Sequence, residues 1–269
     1  MTTTPVINLR EARQALANGT GKGVRVAILD SGVEVDHPGL AGLQLCDDVQ
    51  IIDAGIKLEV KSGDGTDLFG HGTAIASIIH RLAPEAELGS IRVLGANLSS
   101  RTAIIREGVR QAIDRGYKVL NCSFGCGLVD HVLQYKDWID EAYLKNIHVV
   151  SACNNFDFTT PEWPGYFPSV VTVNMARVDN DQTFYYKPGH LVEFAARAVD
   201  VTLPWNHRTM KQVSGSSFAA PVVVALLARL LSVIPDLNPL EGKAILHRLA
   251  EPWVPAVTAP NVSSSARLQ

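Results

Sequence analysis

The chain is expected to fold as an α/β domain in three layers, a mostly parallel sheet with helices on both faces. Three observations predict this. Short apolar runs alternate with segments whose apolar residues recur at helical spacing, which is the pattern of parallel strands joined by helical crossovers. Residues 24–29 (VRVAIL) form a nearly unbroken apolar run, as a strand buried on both faces requires. Across 269 residues, 46% are hydrophobic and 19% charged, enough to build a sizeable core in one large domain or two small ones.

The elements follow in order. Residues 71–82 read as a helix with Ile75, Ile78, Ile79 and Leu82 on one side. Residues 91–94 read as a strand, 102–115 as a helix and 119–122 as a strand. Residues 137–145 follow as a helix and 147–152 as a strand. A long helix begins near Ser217. Another begins at Asn238-Pro239, where Glu241 lies three residues after the asparagine in a capping pattern. The expected division is an N-terminal extension (1–22), a main domain (23–250) and a C-terminal tail (251–269) forming a loose strap or a disordered end.

Bulk properties exclude several classes. A net charge of −3 gives no reason to expect nucleic acid or an anionic membrane as partner. No run of 18 apolar residues marks a membrane span. The first 19 residues lack the apolar core and small-residue cleavage site of a secretory signal. The four cysteines, Cys46, Cys122, Cys126 and Cys153, lack metal-type CxxC spacing, and a cytoplasmic chain keeps such thiols reduced. A cytoplasmic location is expected, while the oligomeric state is left open.

Three segments carry the chemistry: VAILDSG, FGHGTA and SGSSFAAP. They supply Asp30, His71 and Ser217, each beside glycine, where backbone can turn sharply or approach a substrate. Read singly, they are a turn aspartate, a loop histidine and a helix-capping serine. Read together, they are a carboxylate to orient a base, an imidazole to accept a proton and a hydroxyl to attack a carbonyl. The order Asp, His, Ser is one of the unrelated chain orders known for this geometry. A lipase-like esterase would need another order and a G-x-S-x-G elbow. Open parallel sheets form their sites beyond the carboxyl ends of strands, where Asp30 should lie, with His71 and Ser217 opening helices at the same edge.

These segments resemble those of the subtilisin-like serine proteases, the subtilases: Asp30 in D-[ST]-G, His71 in H-G-T and Ser217 in G-[ST]-S-x-A-x-P. The resemblance extends over about residues 23–250, through IRVLGANLSSRTAIIREGVRQAI, VLNCSFG, VVSACNNF and YFPSVVTV. It implies the subtilisin-like three-layer fold and a serine endopeptidase acting on peptide or protein substrates through an acyl-enzyme. It also implies that Asn155 is an oxyanion donor, although Asn154 stands where relatives usually carry glycine. Substrate should add as a strand between Leu98, Ser99 and Ser100 on one side and Ser123, Phe124 and Gly125 on the other. The pocket for the residue preceding the cleaved bond (P1) should lie between residues 123–127 and Ala152 to Asn155. Glu162 falls where relatives often have a pocket-floor glycine, so a basic P1 residue is one expectation, a solvent-facing Glu162 the other. Asp67 would add acidity near the adjoining subsite.

The chain passes from HGTAIASIIHRLA to PEAELGSIRVL without the Asn- and Gly-rich insertion that forms the strong calcium site of many relatives. No cofactor and no metal site are therefore expected, with weaker calcium loops left open. Only 29 residues precede Asp30, so an intracellular type without a prodomain and with a narrow substrate range, such as leader-peptide or precursor processing, is expected. Residues 4–9 would be placed to cross the cleft. Cys122, Cys126 and Cys153 flank the expected pocket either as small hydrophobes or as a redox control. The alternatives in function are a peptide ligase or macrocyclase on the same fold and a catalytically silent peptide-binding module.

Overall fold

A computed structural model describes residues 8–158 and 160–253. In chain order its elements are α1 (Leu9–Asn18), β1 (Arg25–Asp30), β2 (Asp47–Asp53), β3 (Leu58–Ser62), α2 (His71–Leu82), β4 (Glu87–Arg92), α3 (Thr102–Asp114), β5 (Val119–Cys122), α4 (Val132–Leu144), β6 (His148–Ala152), β7 (Val171–Ala176), β8 (Phe184–Tyr186), β9 (Phe194–Arg197), β10 (Val201–Trp205), β11 (Thr209–Val213), α5 (Ser216–Val233), α6 (Pro239–Leu249) and β12 (Glu251–Pro252). Ten strands form one sheet in the order β12-β8-β9-β7-β6-β5-β1-β4-β2-β3. Only the pairs β2/β3 and β8/β9 are antiparallel within it. The expected three-layer α/β fold is therefore present.

Two cores lie on opposite faces of the sheet. One is built by Ile75, Ile79 and Ala83 of the α2 region with α5, α6 and the alanines of α1. The other is built by Ile105, Val109 and Ala112 of α3 with Trp138 and Ile139 of α4. Strand β1 pairs with β4 on one side and β5 on the other, so chain order reverses there. That reversal opens a crevice beyond the carboxyl end of β1, at Asp30.

Several boundaries differ from the sequence expectation. Strand β4 occupies Glu87–Arg92 rather than 91–94. The ladder stops at Arg92 because the N–H groups of Val93 and Leu94 both converge on the Asp30 carbonyl (2.9 and 3.1 Å). Helix α4 begins at Val132 rather than 137, with Leu133 75% exposed in its first turn, which hides the amphipathic pattern. Residues 8–18 of the expected extension contain α1, which buries Ala12 and Ala15. At the other end, Glu251 and Pro252 pair with β8, so the start of the expected tail joins the sheet.

Helix α5 is long and apolar enough to cross a membrane by length and composition, yet most of its residues are buried inside the domain. It also holds Arg229, 7% exposed, which donates to the Leu82 carbonyl (3.4 Å) and the Ala17 carbonyl. These are the carboxyl ends of α2 and α1, where helix dipoles favour positive charge. The two terminal nitrogens of this buried guanidinium are thus paired with carbonyls, while Nε has no partner among the described residues, and α1 is fastened to α5 twelve residues along from Ser217. Leu9 starts this docked helix, and residues 4–7 lie outside the described part.

Candidate active site

The last residue of β1 and the first of α2 meet beyond the sheet edge. His71 Nδ1 lies 2.8 Å from Asp30 Oδ1, and both side chains are nearly fully buried. A carboxylate only accepts, so this bond places the proton on Nδ1 and leaves the lone pair on Nε2. Asp30 Oδ1 also accepts from the Ser31 N–H (2.8 Å). Asp30 Oδ2 is buried without a hydrogen-bond partner among the described residues.

Burial opposes charge on His71. The charge and hydrogen bond of Asp30, with a further contribution from Asp67, outweigh it and raise the imidazole pKa. Asp67 is 7% exposed, which removes it as an acidic wall of a substrate subsite. Its Oδ1 accepts from Ser31 Oγ (2.7 Å) and from the N–H groups of Phe69 (2.9 Å) and Gly70 (2.7 Å). Its Oδ2 accepts from Thr73 N–H (2.8 Å) and Thr73 Oγ1 (2.7 Å). Asp67 thus neutralises the amino end of α2 and builds the turn that presents His71. Close approach fixes the neighbouring glycine: a Cβ on Gly72 would overlap the Gly32 carbonyl.

Ser217 is the second residue of α5, and the ring of Phe218 beside it packs 5.2 Å from that of His71. Proline supplies no N–H, so Pro221 leaves the Ser217 carbonyl four residues earlier without a helical partner. Ser123 Oγ fills the gap, donating to that carbonyl at 2.9 Å and accepting from Asn121 Nδ2 at 3.0 Å. The Ser217 hydroxyl makes a long contact (3.4 Å) to the Ser123 carbonyl. The end of β5 therefore holds the start of α5. This tie was absent from the sequence reading, though the serine-to-proline spacing in SSFAAP was its signal.

Asn155 accepts from the Ser216 N–H through Oδ1 (2.9 Å), and its Nδ2, beside Gly215 at the start of α5, has no hydrogen-bond partner among the described residues. The N–H of Ser217 is one of the helix donors without an intrahelical partner. These two donors share one edge. Asn154, the departure from the family pattern, is 6% exposed and accepts from Phe156 N–H (2.6 Å), closing the turn that presents Asn155.

The two proposed substrate edges differ. The backbones of Phe124 and Gly125 make no hydrogen bond among the described residues. On the other side Leu98 has a left-handed φ of 57° and packs against the second core. The Ser99 carbonyl accepts from Gly95 N–H (3.0 Å) and closes a turn. Open backbone thus begins at Ser100 rather than at Leu98. Ser100 and Ser99 help line a hollow of about 300 Å³ with Leu68, Leu94 and Ile104. Ala152 ends β6 and is buried.

Glu162 lies against Gly125, where a Cβ would collide with its carboxylate. Paired bonds between Cys126 and Trp163 (both 2.9 Å) hold it there. Cys122 and Tyr135 pack in the second core with Cys126 beside them. Burial pushes the Cys122 thiol up, and pushes Cys153 up to about 12. Reactivity follows the thiolate, which burial disfavours at both positions.

Comparison with known proteins adds a separate line of evidence. The family model described as the subtilase family matches residues 21–266. The chain is 28% identical over 225 residues to thermitase of Thermoactinomyces vulgaris, covering 82% of this chain and 80% of that protein. It is 28% identical over 273 residues to subtilisin DY of Bacillus licheniformis, covering 96% and 92%. A crystal structure of a cold-adapted subtilisin-like serine proteinase superposes with a TM-score of 0.70 at 24% identity, over 86% of this chain and 83% of that one.

Proposed function

The chain belongs to the subtilase family and is a serine endopeptidase, and we propose that Asp30, His71 and Ser217 are its catalytic triad. The observation that carries this reading is the 2.8 Å Asp30–His71 bond, which leaves His71 Nε2 as the base on the side of the α5 start. In the reacting complex Ser217 Oγ gives up its long contact with the Ser123 carbonyl and donates to Nε2 instead. Oγ then attacks the peptide carbonyl while Nε2 takes its proton. The imidazolium formed is stabilised by Asp30 and returns the proton to the leaving amine. Water repeats the sequence on the acyl-enzyme. Negative charge on the tetrahedral oxygen is met by the Ser217 N–H and Asn155 Nδ2, donors fixed before reaction.

Substrate pairs with the open backbone of Phe124 and Gly125 on one side and of Ser100 on the other. We further propose an intracellular enzyme with a narrow substrate range and no need for a tightly bound cation. The four free cysteines support the first. The four-residue passage from α2 to β4, too short to supply a cage of oxygen ligands, supports the last. Purified enzyme incubated with a denatured protein tests the reading. Hydrolysis should persist with a calcium chelator and vanish in Ser217→Ala. Hydrolysis retained in that variant contradicts the triad, and loss in chelator contradicts cation independence.

A further inference from the structure

The nucleophile sits beside a cup made by two strand ends. One wall is the segment after β5, where the Ser123 carbonyl meets Ser217 Oγ. The other is the segment after β6, where the Cys153 carbonyl accepts from Ser216 Oγ (2.6 Å). Glu162 stands against the first of these walls. Its side chain lies over Gly125 on the first wall. Cys153 on the second wall is raised in pKa chiefly by burial, with a smaller contribution from the charge of Glu162. The backbone that carries it is pinned by the two Cys126–Trp163 bonds, and its own carbonyl accepts from Tyr166 N–H (2.9 Å).

Glu162 is partly buried, yet its carboxylate has neither a hydrogen-bond donor nor a cation beside it among the described residues. Burial, and then the charge of Asp157, raise its pKa. Asp157 itself is engaged, accepting from Thr160 N–H (2.8 Å). A carboxylate withdrawn from water and set beside a second negative charge is disfavoured unless something positive arrives. A carboxylate whose only role is structural would be expected to find a lysine or arginine of its own, as Glu193 does with Lys243.

We propose that Glu162 selects an arginine or lysine as the P1 residue, whose cationic end enters the cup and pairs with its carboxylate. This rests on the reading of Ser217 as the nucleophile, since that fixes which substrate residue faces the cup. Charge-assisted bonds of this kind are strong where water is excluded. Glycine at position 125 belongs to the same device, because any side chain there would displace the carboxylate.

The test uses peptide amides identical except at P1: Arg, Lys, Gln, Glu and Phe. Lysine and glutamine are close in length and differ in charge. Wild type should cleave the Lys peptide about 100-fold better than the Gln peptide in kcat/KM, a ratio in the range of one desolvated charge pair. The Lys to Gln ratio should rise with pH as Glu162 ionises, while the Phe to Gln ratio stays level. In Glu162→Gln the Lys to Gln ratio should fall to within about threefold, and Glu162→Lys should favour the Glu peptide. A wild-type ratio near one, or a ratio that survives Glu162→Gln, overturns the proposal. Fluorophosphonate labelling of the same wild-type preparation separates the two levels. A chain that labels at Ser217 but ignores P1 charge refutes the selector alone. A folded chain that neither labels nor cleaves refutes the nucleophile and the selector with it.

Discussion

Asp67 illustrates how one buried carboxylate can serve position and electrostatics together. Its five accepted bonds organise the turn before His71, and its charge helps favour the imidazolium. As the proposed base His71 must be neutral, so kcat/KM should fall below its pKa, which is raised here. Asp67→Asn removes a negative charge and should move the acid limb of the pH profile to lower pH, besides lowering the plateau. A purely structural role would lower the plateau and leave the limb in place. Sequence spacing placed Asp67 close to the site but could not show that its side chain points inward. That depends on donors from Ser31 and Thr73, which lie in the D-S-G and H-G-T segments far from Asp67 or beyond it in sequence.

Among the elements, the contact between β5 and α5 decides where Ser217, the proposed nucleophile, stands. Pro221 removes one backbone bond and Ser123 replaces it with a side-chain bond, so a strand end and a helix start move as one body. Ser123→Ala leaves the Ser217 carbonyl unsatisfied, a loss of about 1–3 kcal/mol. The expected outcome is a lower melting temperature together with a drop of about tenfold in kcat, since slight misplacement of reacting groups is costly. Unchanged kcat in a folded Ser123→Ala would show that α5 is positioned without this bond. The helices bearing His71 and Ser217 were legible from sequence because apolar spacing and glycine-flanked motifs coincide. Helix α1 was not, because it packs through Ala12 and Ala15, and alanine gives a weak periodic signal. The β2/β3 hairpin escaped for a related reason: β3 lies at the sheet edge with much of its surface exposed, and its sequence LEVKS carries little apolar pattern.

At the scale of the whole molecule, the sheet-and-helix architecture makes stability depend on pH through His148. This residue opens β6, is 2% exposed, and donates from Nε2 to the Leu237 carbonyl (3.0 Å) before α6. Burial, moderated by that bond and reinforced by Lys118, lowers its pKa to about 4. The unfolded chain takes up this proton near pH 6.5, while the folded one resists until about pH 4. Stability should therefore decline as pH falls through that window, by about 3 kcal/mol in all, and then level off. Urea unfolding at pH 7, 5.5 and 4 measures the slope. His148→Gln, less stable overall, should flatten it, and an unaltered slope in that variant assigns the effect to other groups.

The overall plan, a crevice at the reversal of strand order, was legible because buried parallel strands leave long apolar runs. The cup around Glu162 was legible only as a position, since its lining comes from three separated loops. The central claim is that this crevice activates Ser217, and mass spectrometry after fluorophosphonate treatment tests it most directly. One adduct is expected on the peptide containing Ser217, slowed strongly in Asp30→Asn and absent in Ser217→Ala. A folded wild type that carries no adduct, or an adduct that persists in Ser217→Ala, contradicts it.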